Sequence, residues 1–92
     1  MDTKKAYEER IDAELEKMDA QIDLVKAKAR KAKAETKAEL LKQVEELDQQ
    51  RENVQARLDE LKSAGQEAWR DLKAGVDAAM SELENAVKQT GS

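Results

Sequence analysis

The 92 residues include no Pro, His, Cys or Phe, Tyr7 and Trp69 are the sole aromatics, and 41% of positions are charged. Such a chain holds too little apolar material for an ordinary mixed globular core, and its wealth of Ala, Glu, Lys, Leu and Arg fits a long helix or coiled coil. Without His or Cys there is no imidazole or thiolate metal site and no common nucleophile–base pair, so the sequence predicts no enzyme, no cofactor and no metal. Low hydropathy with high charge also describes disordered chains, and the sustained periodicity set out next decides for helix.

The first residues, Met1-Asp2-Thr3-Lys4-Lys5, lead directly into a helical pattern with no apolar stretch, which predicts a cytoplasmic chain without signal peptide or membrane span. Asp2 or Thr3 can cap a helix beginning near Lys4, and nothing from there to Lys62 breaks it. The organising stripe is Ile11, Leu15, Met18, Ile22, Val25, Ala29, Ala32 and Thr36, spaced 4-3-4-3-4-3-4. That heptad seam must be covered by another helix, from the same chain or another copy. About sixty uninterrupted residues would make a rod roughly 90 Å long. Away from the seam stand Ala6, Ala13, Ala20, Ala27 and Ala34, read either as helix formers on an exposed face or as a small-residue face for a further helix.

Between residues 26 and 37, Lys26, Lys28, Arg30, Lys31, Lys33 and Lys37 oppose Glu35 alone, which gives +5 against −9 for the remainder. The seam thins to alanine there, so this basic waist should be the softest part of the rod. Leu40, Leu41, Val44 and Leu47 restart the stripe after a 4-4 stutter. From Leu47 the period becomes eleven, through Val54, Leu58, Leu61, Trp69, Leu72, Val76, Met80, Leu83 and Val87, with Gly65 also in phase. Arg51 lies near this stripe, with its stem along it and its head free to reach an acid. A turn or kink is predicted near 63–66, where Gly65 suits a left-handed C-cap and Ser63 with Gln66 spells a capping box. A second helix then runs to about residue 89. The chain as a whole is one all-α domain, 1–92, either an extended oligomeric coiled coil or hairpins packed into a bundle.

Several ligand classes fit poorly. Glu45, Glu46 and Asp48, or Asp12, Glu14 and Glu16, are plentiful carboxylates but form no calcium loop. Lys26, Arg30, Lys33 and Lys37 line one helix side at 4-3-4, which is enough for phosphate contact. Nucleic acid is nevertheless disfavoured, because no aromatic interleaves and the rest of the chain is acidic. The eleven-residue repeat with Trp69 suits a reversible lipid-surface helix, although residues 66–89 carry net −2. The expected partner is the chain itself, as a homo-oligomer, with another helical protein or a lipid surface as alternatives.

The phrases Lys4-Lys5-Ala6-Tyr7-Glu8-Glu9, Met18-Asp19-Ala20-Gln21-Ile22-Asp23, the Lys-Ala run from Lys26 to Glu35 and, above all, Ala68-Trp69-Arg70-Asp71-Leu72-Lys73-Ala74-Gly75-Val76 span most of the chain. In these the chain resembles a family of small bacterial stress-responsive coiled-coil proteins. The segment before the Trp often reads like Ser-Gly-Asp in that family, and Ser63-Ala64-Gly65-Gln66 departs from it. The resemblance implies a soluble, cytoplasmic helical protein with a role in stress, and the self-associating stripe itself predicts a structural or scaffold-like one. It brings no catalytic residue or ligand.

Overall fold

The computed structural model describes residues 3–91, so the capping expected of Asp2 lies outside the described residues. Three helices follow in order, α1 (Thr3–Lys31), α2 (Ala34–Ser63) and α3 (Trp69–Gly91). The all-α expectation holds, and the helices pack against one another. The single helix expected over residues 4–62 is corrected, because the chain reverses at Ala32 and Lys33. The molecule is therefore 51 × 19 × 18 Å, little more than half the length of the anticipated rod.

The reversal uses almost no special chemistry. The Ala32 N–H donates to the Ala29 carbonyl at 3.3 Å, Lys33 is extended at φ −70°, ψ 160°, and the Lys37 N–H donates to the Lys33 carbonyl at 2.7 Å. Lys33 occupies the N-cap of α2 with no side-chain bond to the helix. Lysine has no acceptor with which to satisfy the orphan N–H groups of that first turn. The second turn, residues 64–68, falls where the sequence places one, but by a different device. No glycine among the described residues has positive φ, so Gly65 is not a left-handed cap, and Ser63 is the last residue of α2 rather than the start of a capping box. Extended Ala64 ends α2, its N–H donating to the Leu61 carbonyl, and the Trp69 N–H donates to the Gly65 carbonyl to begin α3.

Cross-links define the topology. Lys62 pairs with Asp12, Arg51 with Asp19 and Lys26 with Asp48, so α1 and α2 are antiparallel. Tyr7 meets Trp69, whereas Val25 and Val87 line one groove farther along, so α3 returns parallel to α1. One core runs down the axis. α1 contributes Tyr7, Ile11, Leu15, Met18, Ile22 and Val25; α2 contributes Val44, Leu47, Val54, Leu58 and Leu61; α3 contributes Trp69, Val76, Ala79, Met80, Leu83 and Val87. In α2 the spacing Leu47, Arg51, Val54, Leu58, Leu61 is itself 4-3-4-3, with Arg51 occupying one seam position. Each fully buried Leu or Ile is worth about 1.5–3 kcal/mol, so the seam is satisfied within one chain.

Candidate interaction surface at the hairpin end

The two ends of the bundle differ in what covers them. At the end holding the start of α1, the Tyr7 hydroxyl donates to Asp77 Oδ1 at 2.6 Å and lies 3.3 Å from the Lys73 carbonyl oxygen. The Tyr7 and Trp69 rings tilt against each other at 5.9 Å between centroids. Arg10 stands over the Tyr7 ring at 5.1 Å and reaches Asp77 at 3.7 Å, with Lys73 near the same ring at 5.4 Å. Burial, and then the hydrogen bond to Asp77 and its charge, push the Tyr7 phenol well above its ordinary value. A phenol held protonated in this way is a structural donor and not a base. Tyr7 is absent from the stripe read off the sequence. Its signal is present all the same, four residues ahead of Ile11, where the 4-4 step masks the continuation of the seam.

Midway, Arg51 forks onto Asp19, with Nε to Oδ1 at 2.9 Å and Nη2 to Oδ2 at 3.2 Å, and Nη1 donates to Gln55 Oε1 at 3.2 Å. The hydrogen bond to Asp19 raises its pKa further. The stem on the stripe and the head on an acid match the reading of this residue, and the acid belongs to the same chain.

The stripe residues come together as that core. Ile11, Leu15, Met18, Ile22, Val25, Val44, Leu47, Val54, Leu58, Leu61, Trp69, Val76, Met80, Leu83 and Val87 are buried, while Leu40 and Leu72 are partly buried against them. Ala6, Ala13, Ala20 and Ala34 are exposed and Ala27 half-buried. The carboxylates singled out earlier are either solvated, as Glu45 and Glu46 are, or paired, as Asp48 is with Lys26 and Asp12 with Lys62.

At the far end the reversal gathers the basic patch. Lys28, Arg30 and Lys31 close α1, where cations suit the negative end of the helix dipole, Lys33 sits in the turn, and Lys37 follows in α2. No residue from Arg30 to Glu39 is buried. Val87 and Lys88 of α3 line the groove beside Val25 and Lys31 of α1. The two exposed large hydrophobics among the described residues belong to this half of the hairpin, Leu24 at 65% and Leu41 at 49% exposure. Leu24 opens onto a groove of about 730 Å³ between α1 and α3, with Gln21, Val25, Ala27, Lys28, Lys31, Val87 and Lys88 as the other lining residues. The sequence gives only a faint sign of Leu24, since in the pair Leu24-Val25 one side chain must leave the seam.

The arrangement defines a three-helix bundle closed at one end and basic and partly open at the other. Comparison with family models, curated proteins and solved structures finds no match to this chain. No helix among the described residues is long and apolar enough to cross a membrane.

Proposed function

We propose that the chain is a non-enzymatic structural protein that associates with copies of itself by opening the α1–α2 hairpin and exchanging arms. The observation that carries this reading is the turn at Ala32 and Lys33, two residues with neither Gly nor Pro and no side-chain cap. Ala and Lys are good helix formers, so local propensity favours helix straight through the turn. Straightening joins α1 to α2 and satisfies the backbone groups stranded at both helix ends. The long helix then loses its partner arm, and a second opened chain supplies an identical one, so every seam contact re-forms between chains. Intramolecular packing favours the closed bundle at high dilution, and mass action favours exchange as concentration rises.

Electrostatics set the balance in one direction. In the exchanged dimer the antiparallel long helices bring the two basic segments side by side at the middle. Screening that repulsion with salt should raise the dimer fraction. The stress role that the resemblance implies is compatible with such a store of exchangeable helix.

The test uses sedimentation across micromolar to millimolar concentration, together with dyes at positions 5 and 63 of one chain diluted into unlabelled protein. These positions are adjacent in the closed bundle and about 90 Å apart along a straight helix at 1.5 Å per residue. The expected result is a concentration-dependent dimer in which intrachain energy transfer is lost. A Lys33→Pro variant should remain monomeric, because proline suits φ −70° in the turn and breaks a continuous helix. A dimer that keeps its intrachain transfer, or a chain that is monomeric throughout, sinks the reading.

A further inference from the structure

The groove between α1 and α3 combines an aliphatic floor of Leu24, Val25, Ala27 and Val87 with a rim of Lys28, Lys31 and Lys88, and among the described residues no carboxylate lines it. Among the described residues none of these three lysines is in an ion pair, whereas Lys26 and Lys62 are each held by an aspartate. Charge and apolar surface thus both stand uncompensated in one place. A volume of about 730 Å³ is within the range of roughly 300–1,000 Å³ typical of small-molecule sites.

The surroundings narrow the occupant. A second folded copy offers no other exposed large hydrophobic, since Leu24 and Leu41 are the two among the described residues, and bringing two hairpin ends together sets like charge against like. A flat bilayer is a poor fit as well. Leu24 and Leu41 lie eight or nine residues from the turn, about 12 Å down the helices, so a membrane meets the lysines of the apex before it reaches a leucine. What remains is a ligand that carries its own alkyl chain and its own negative charge. Farther from the apex the groove adjoins a depression where Glu14 and Glu84 stand beside Met18, Lys17, Gln21 and Lys88. Its two carboxylates are balanced by two lysines, whereas Lys28 and Lys31 line the groove with no described carboxylate beside them, so an anionic head is drawn toward the apex.

We infer that this groove binds a single-chain anionic amphiphile, a free fatty carboxylate, with the carboxylate at Lys28, Lys31 and Lys88 and the alkyl tail along Leu24, Val25 and Val87. The tail removes Leu24 from water, and the ammonium groups gain the partner they lack. The site is formed in the closed bundle and does not depend on arm exchange.

The experiment titrates sodium dodecanoate, below its micellar concentration, into the full chain carrying Lys33→Pro, followed by amide chemical shifts. The turn variant keeps the outcome separate from self-association. One saturable site is expected, with shifts confined to the amides around Gln21, Leu24, Val25, Lys28, Lys31 and Val87. Uncharged dodecanol should bind at least tenfold more weakly. Leu24→Gln, and Lys28→Gln, Lys31→Gln and Lys88→Gln combined, should each weaken dodecanoate at least tenfold while leaving helicity intact, since all four side chains are exposed. Equal binding of dodecanol, shifts spread through the core or no saturation overturns the assignment. So does a response to phosphatidylglycerol vesicles or to an acidic amphipathic peptide in the absence of one to dodecanoate.

Discussion

At the Tyr7 end the helices meet around a tyrosine, a tryptophan and an aspartate, whereas at the hairpin end no residue from Arg30 to Glu39 is buried and Lys28, Lys31, Lys33 and Lys37 are exposed. The difference lies in whether apolar side chains are covered and in whether the charges find partners. Stability and openness are thereby separated along one axis, with the firm end holding the bundle together and the loose end left available.

The sharpest way to break this contrast is to remove a buried side chain from the three-helix region. Leu58→Ala, at a fully buried position, should lose about 2–5 kcal/mol in urea unfolding. A loss below 1 kcal/mol would mean that the core is not packed there. Next comes Tyr7→Phe, which deletes the donor to Asp77 and should cost about 1–2 kcal/mol at neutral pH. Its pH dependence follows from the raised phenol pKa. The folded protein holds the proton more tightly than the unfolded chain, so this contribution is complete below the unfolded value of 10.0 and declines as pH rises above it. Unfolding curves at pH 8 and pH 11 should therefore show the gap between wild type and Tyr7→Phe shrinking at the higher pH. A constant gap would contradict the assignment.

Two smaller effects sharpen the other side of the comparison. Lys33→Asp places an acceptor at an extended N-cap that has none, and should raise stability by about 1 kcal/mol while reducing dimer at a given concentration. No gain in melting temperature would argue against the turn geometry. Leu24→Gln should change stability by no more than about 0.5 kcal/mol, because the side chain is already largely in water. A larger loss would place Leu24 in the core.

Much of the fold can be read in the spacing alone. The seam from Ile11 to Val25, the stripe from Val44 to Leu61 and the face from Trp69 to Val87 are periodic because each buries one side of a helix, and periodicity survives whichever chain supplies the cover. The turn after Ser63 is legible from Gly65 and the cluster of small polar residues, although its backbone conformation is not. The reversal at Ala32 and Lys33 is illegible for a physical reason. No residue there prefers a turn, so the break is decided by the gain of packing α2 back on α1, a tertiary effect that outweighs local helix propensity. The groove is equally hidden, because it depends on how α3 packs beside α1. The basic residues that rim it are plain in the sequence, but their lack of partners is not.

The Tyr7 clasp also bears on the order of events in folding. Both hairpins close over short turns, but the bond from Tyr7 to Asp77 joins residues 70 apart in the chain, so most of the polymer must be organised before it can form. Contacts absent from the transition state act on the escape rate and leave the arrival rate unchanged. In stopped-flow experiments Tyr7→Phe should unfold faster while refolding at the wild-type rate, and equal slowing of refolding would show that the clasp forms early. On this view Tyr7 works as a latch, setting how long the native state persists once it has been reached.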